Sequence, residues 1–125
     1  MISICRRFEF HAAHYLPNHE GKCKDIHGHS YILEVEVIGM IHTEGPATGM
    51  IMDFSKLKKI VHDSVLEKID HKNLNDIWDN PTAENMVVDI SRWIEPHLPG
   101  WVTVNRIRLW ETSNSYAEWR IEWGQ

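Results

Sequence analysis

A chain of 125 residues is short enough to read as one domain over residues 1–125, yet long enough to bury a small working core. Its 42% hydrophobic and 25% charged residues are ordinary for a globular protein, and no apolar run approaches the roughly 20 residues a membrane span requires. A net charge of −5 argues against nonspecific nucleic-acid binding, two cysteines make no disulfide framework, and the segment from Met1 to Arg7 lacks the apolar core of a secretion signal. A cytoplasmic protein with no membrane and no nucleic-acid partner is expected.

Ile2, Ile4, Phe8 and Phe10 are β-formers at even spacing and predict a strand from Ile2 to Phe10. Pro17-Asn-His-Glu-Gly21 is a loop signal. Leu33-Glu-Val-Glu-Val37 alternates cleanly and predicts a second strand leading out of His27-Gly-His29. Glu44 to Gly49, with two glycines and a proline, is a turn. Phe54, Leu57, Val61, Val65 and Ile69 recur every three to four residues, so an amphipathic helix opens at Asp53 or Ser55. A second helix begins at Thr82, whose hydroxyl can cap its first turn, buries Met86, Val87, Ile90, Trp93 and Ile94, and stops at Pro96. Val102 to Trp110 reads as a strand, and Ala117, Trp119, Ile121 and Trp123 alternate with charged residues as a final half-buried one.

The order strand, strand, helix, helix, strand, strand gives an α+β domain: a four-stranded antiparallel sheet with both helices on one face. Such a sheet leaves exposed edges and an uncovered second face. Six tryptophans exceed what one thin core needs. Trp93 is expected at the helix–sheet interface, and several of the others at contacts between subunits, where aromatics are enriched, so a homo-oligomer is expected.

The segment from His11 to His29 carries the chemistry. His27 and His29 are separated by one glycine, so on an extended chain both imidazoles leave the same face. With His14 from a neighbouring strand, three neutral nitrogens can converge on one tetrahedral ion. Three protein ligands and an open fourth position describe a catalytic zinc site, whereas structural zinc usually takes four. Nine histidines produce some close pairs by chance, and a lone His-x-His is weak. The third histidine and the nearby Cys23 favour metal binding.

Two further pairs stand out. Asp70 beside His71 can fix the imidazole tautomer and prepare a general acid or base, although an Asp-His dipeptide at a helix end is more often capping and solvated. Glu111, at the end of an apolar strand, is either an exposed strand-end carboxylate or a buried one in need of a partner, such as the two-donor edge of an amidine-like ligand.

Together these residues resemble the 6-pyruvoyltetrahydropterin synthase / 6-carboxytetrahydropterin synthase family, the T-fold pterin enzymes. The matching motifs are Phe10-His-Ala-Ala-His14, Cys23-x-x-x-His27-Gly-His29, Met52-Asp53-Phe54-x-x-Leu57-Lys58, Asp70-His71-x-x-Leu74-Asn75, Pro81-Thr82-x-Glu84-Asn85 and Glu111-Thr112. They run in order from residue 10 to residue 112. The three residues between Cys23 and His27 are similar to the bacterial queuosine-pathway branch; animal 6-pyruvoyl enzymes carry a longer spacer.

The resemblance implies a zinc-dependent lyase that converts 7,8-dihydroneopterin triphosphate to 6-carboxy-5,6,7,8-tetrahydropterin, acetaldehyde and triphosphate. His14, His27 and His29 would hold zinc, Cys23 would abstract a proton, and Asp70 with His71 would form the second proton-transfer pair. Glu111 would anchor the amino-pyrimidine edge of the pterin, with Thr82 assisting. His11 is not expected as a fourth ligand. Sites built where subunits meet, commonly in a hexamer of two trimers, are implied as well. Two alternatives are triphosphate elimination to 6-pyruvoyltetrahydropterin and a noncatalytic pterin- or metal-binding module. Generic zinc hydrolysis is weaker, because no His-Glu-x-x-His signature is present.

Overall fold

A computed structural model describes residues 1–21 and 24–122. Strand β1 (Ile2–His14) and strand β2 (His27–Gly39) pair antiparallel over their full length, from Ile2 opposite Gly39 to His14 opposite His27. Strand β3 (Val102–Thr112) lies antiparallel on β2, and strand β4 (Ser115–Arg120) on β3, giving the order β1-β2-β3-β4. The predicted α+β architecture is therefore observed. Both long strands reach four to six residues past the apolar alternation that announced them, to His14 and back to His27. Ala12-Ala13-His14 and His27-Gly28-His29 carry no β-former pattern, but each supplies the other's backbone partners.

One face of the sheet forms the core. Phe10, Ala12 and His14 on β1, Tyr31, Leu33, Val35 and Val37 on β2, and Ile107 and Leu109 on β3 are buried. Helix α1 (Phe54–Val61) opens at Asp53, whose carboxylate accepts the Ser55 backbone N–H at 2.9 Å. It continues through a π turn (His62–Leu66) into the last helical turn, α2 (Glu67–Ile69). Leu57, Val61, Val65 and Ile69 are fully buried against the sheet. Phe54, grouped with them by spacing, is 52% exposed. It is the first residue of the helix, at the rim, before the helix turns its apolar face onto the core.

Helix α3 (Ala83–Ile94) is capped by Thr82 and buries Met86, Val87, Ile90 and Ile94. Pro96 lies in a single 3-10 turn (Glu95–His97) that ends the helix. The turn between Glu44 and Gly49 uses both its glycines in the left-handed region, at φ 82° for Gly45 and 84° for Gly49.

The face without helices differs from expectation. It carries alternating charges: Arg7 beside Glu34, Arg106 between Glu36 and Glu118, and Arg108 and Arg120 on Glu118. Of the described tryptophans only Trp110 belongs there, donating its indole N–H to Glu34 and packing on Tyr116. Trp78 and Trp93 stack on each other with centroids 5.3 Å apart, Trp119 packs on the core, and Trp101 is exposed at the start of β3. Trp123 lies outside the described residues. The described tryptophans are thus spread over both faces of the sheet and the helix layer.

A strap closes part of the β1 edge. His71 donates its backbone N–H to the His11 carbonyl, the Ala13 N–H donates to the Lys72 carbonyl at 3.1 Å, and Ala13 bridges Asn73 in parallel. His71 takes φ 60°, the only non-glycine residue among those described in the left-handed region.

Candidate metal centre and active site

The β1–β2 register sets His14 opposite His27, with His29 two residues further along the same face. The three rings meet pairwise, with centroids 4.9 Å (His14–His27), 4.7 Å (His14–His29) and 4.5 Å (His27–His29) apart. One nitrogen from each lies within 4.8 Å of the others. His14 is buried, and the Nε2 atoms of His14 and His29 are both buried without a hydrogen-bond partner. Burying a polar nitrogen unpaired is costly, so two that converge are an arrangement made for a third party. A third such atom, His42 Nε2, belongs to a ring packed against Trp101 that joins no cluster of three metal-ligating groups among the described residues.

The tautomers fit a metal. His27 Nδ1 is 2.8 Å from the Asp25 carbonyl, which can only accept, so Nδ1 carries the proton and Nε2 keeps its lone pair. His14 Nδ1 is 2.8 Å from the Tyr31 hydroxyl, which can donate or accept. Burial pushes the His29 imidazole below its ordinary value, toward the neutral form a metal ligand needs. Three converging imidazole nitrogens match the histidine donor set of a catalytic zinc site.

Glu111 is not a solvated strand end. Its Oε1 lies 3.2 Å from His14 Nε2 and 3.4 Å from His29 Nε2, and its side chain is only 32% exposed. Contact with His14, against the opposing effect of burial and with help from His29, holds its carboxyl below the usual carboxylate range. A carboxylate thus stands at the mouth of the histidine cluster.

Asp70 and His71 also form a pair. Asp70 Oδ1 lies 3.0 Å from His71 Nδ1 and accepts the His11 backbone N–H at 3.1 Å. The carboxylate therefore orients the imidazole and anchors the strap together. An open cleft of about 610 Å³ is lined by His11, His29, Ser30, His71, Lys72 and Asn73, so His71 and one of the triad share it. No described contact joins His71 to His14 or His27. His11 turns its Nδ1 to the Ser30 hydroxyl at 3.0 Å and stays out of the cluster. Thr82 uses its hydroxyl oxygen to accept the Asn85 N–H at 3.1 Å, and no described contact links it to the histidines. Cys23, expected as the base, lies outside the described residues, as does Lys22.

One positioning residue escaped notice in the sequence. Asn75 accepts the Tyr15 N–H through Oδ1 and donates to the Tyr15 carbonyl through Nδ2, both at 2.9 Å. It clamps the backbone directly after His14. Its place in the Leu74-Asn75 motif was the available signal.

Comparison with known proteins agrees with this geometry. The family model for 6-pyruvoyl tetrahydropterin synthase matches residues 3–122. The chain is 44% identical over 120 residues to a dihydroneopterin monophosphate aldolase of Pyrococcus furiosus, covering 96% of each. It is 40% identical to a 6-carboxy-5,6,7,8-tetrahydropterin synthase of Synechocystis, covering 95% of this chain and 93% of that one. The structure of the Caenorhabditis elegans 6-pyruvoyl tetrahydropterin synthase superposes with a TM-score of 0.81 at 25% identity, over 97% of this chain and 96% of that one. An α+β sheet with its histidine triad at the β1–β2 end, matched over nearly its whole length, places this chain in the 6-pyruvoyl tetrahydropterin synthase family, with that family's T-fold.

Proposed function

We propose that the chain is a single-domain, zinc-dependent carbon–carbon lyase that converts 7,8-dihydroneopterin triphosphate and one water to 6-carboxy-5,6,7,8-tetrahydropterin, acetaldehyde and triphosphate, a step of queuosine biosynthesis. The observation that carries it is the convergence of His14, His27 and His29, two of them with buried, unpartnered Nε2 atoms, beside the Glu111 carboxylate. Relatives at 31% and 40% identity bear the name of that synthase.

Zinc on the three histidines would supply a Lewis acid that draws charge from the side-chain oxygens of the substrate and eases loss of a neighbouring proton. The protein's own groups do the rest. Cys23 takes a proton as thiolate, a form favoured by the flanking charges of Lys22 and Lys24. Asp70 holds His71 through Nδ1, leaving Nε2 to pass a proton in the cleft. Glu111 offers two acceptor oxygens to the amino-pyrimidine edge, and Thr82 assists through its remaining O–H. A homo-oligomer, a hexamer of two trimers, would bring Cys23, the Asp70–His71 pair and the triad of different copies together. The edge of β4 and the β1 edge beyond the strap, which pair with no other described strand, are suited to such contacts.

A second reading rests on the 44% identity to a dihydroneopterin monophosphate aldolase. A retro-aldol cut between the first two side-chain carbons uses the same base and the same Lewis acid, and differs in the phosphate carried. Zinc-loaded protein is incubated with 7,8-dihydroneopterin triphosphate and, separately, with the monophosphate, and the fragments are identified by mass spectrometry. Acetaldehyde with the 6-carboxy product supports the synthase. Glycolaldehyde phosphate with a 6-hydroxymethyl pterin establishes the aldolase instead. A 6-pyruvoyl product establishes the eliminating enzyme, and no turnover of either substrate leaves a binding module.

A further inference from the structure

We infer that Tyr31 is a positioning residue for the metal centre: its phenol oxygen accepts the Nδ1–H of His14 and so turns the bare Nε2 of His14 into the cluster. The inference rests on the metal-binding reading of the triad. The two second contacts on the triad are unlike in kind. At His27 a backbone carbonyl settles the matter, because it has no proton to give. At His14 the partner is a hydroxyl, 2.8 Å from Nδ1, and a hydroxyl permits either tautomer.

If Tyr31 donates, His14 must carry its proton on Nε2, which would point it at Glu111 Oε1 3.2 Å away. That contact lacks hydrogen-bond geometry, and His14 Nε2 is left without a partner. If Tyr31 accepts, Nε2 is a lone pair facing His29, and the missing partner is an ion. The second arrangement explains the orphaned nitrogen and the first does not. Passing between the two moves one proton from Nε2 to Nδ1 and rotates one O–H, with no net proton released.

Tyr31 is itself held for the task. It is fully buried, it lies directly opposite Phe10 in the strand register, and the two rings stack with centroids 4.8 Å apart and planes 6° apart. It follows His29 by two residues, so strand periodicity alone puts its ring on the triad's face. Partners of this kind beyond the direct ligands typically tune metal affinity by about 10–100-fold.

The test compares wild type, Tyr31→Phe and His27→Ala by zinc competition against a chromogenic chelator, by the visible spectrum of the cobalt-substituted protein, and by thermal melting of the metal-stripped forms. Tyr31→Phe keeps the ring and its stack on Phe10. It is expected to bind zinc about 10–100-fold more weakly, with a shifted cobalt spectrum and a melting curve close to wild type. Unchanged or tighter zinc binding in a folded Tyr31→Phe protein overturns the inference while leaving the metal reading intact. Should that variant not fold, nitrogen-15 shifts of His14 in zinc-loaded wild type decide the point. A protonated Nδ1 supports Tyr31 as acceptor, and an unprotonated Nδ1 overturns it. Wild type that takes up no zinc, and so behaves as His27→Ala, overturns the metal reading and this inference with it.

Discussion

Asn75→Ala isolates the clamp that fixes the chain after His14. The side-chain amide makes two hydrogen bonds to the Tyr15 backbone, both at 2.9 Å, and the substitution removes both. Each such bond contributes about 0.5–1.5 kcal/mol net, and at a half-exposed site water recovers part, so the loss should be about 1–2 kcal/mol. Unfolding entropy of about 2.1 cal/mol/K per residue over 125 residues gives about 0.26 kcal/mol/K, so the melting midpoint should fall by about 4–8 °C. The assay is calorimetric or circular-dichroism melting of the metal-stripped protein, repeated with zinc in excess. Because a ligand that binds only the folded state adds its own stabilisation, the gap between variant and wild type should widen with zinc if the clamp also places His14. Asn75→Asp keeps an acceptor for the N–H but sets a second oxygen against the Tyr15 carbonyl, so it should not rescue the loss. An Asn75→Ala protein that melts with wild type, and binds zinc equally well, would refute the clamp.

The metal-stripped protein should lose stability in two stages on acidification. His29 has a folded value below its ordinary 6.5, so its contribution is complete above that pH and declines as pH falls toward the folded value. Glu111, held below its ordinary 4.5, contributes above that pH and is lost as pH falls through its folded value. Melting curves against pH check this: His29→Gln should erase the first stage, and a midpoint that rises on acidification contradicts both. His27→Ala should abolish zinc uptake and turnover together, measured by metal analysis alongside product formation. Cys23→Ala and His71→Ala should each lower kcat by about 10²–10⁴-fold at unchanged zinc content. Loss of zinc in either variant would assign that residue to metal binding rather than proton transfer.

The element order and the helix faces were legible because burial imposes periods of two and 3.6 on apolar residues, and Leu33 to Val37 and Leu57 to Ile69 show them plainly. The strand ends were not. Ala12 to His14 and His27 to His29 are extended because each pairs with the other, a long-range condition that no local window contains. The same register puts His14 across from His27, so motif and geometry agree at the triad. Spacing placed Phe54 inward, but helix position sent it out. Glu111 illustrates the opposite case: a strand-end carboxylate reads as solvated until β3 is laid beside β2, which brings it to the histidines. Where the tryptophans sit was not legible, because composition counts side chains without saying which face receives them.

The charged lattice on the helix-free face also bears on how the proposed phosphorylated substrate would approach. Arg7, Arg106, Arg108 and Arg120 each sit within 4.0 Å of Glu34, Glu36 or Glu118. Guanidinium groups already matched by carboxylates project little field, and a polyanion gains nothing by settling among them. That broad surface is therefore electrostatically quiet toward a phosphate tail. Lys72 lines the strap cleft and pairs with no carboxylate among the described residues, so such a tail would find positive charge there without displacing an existing partner.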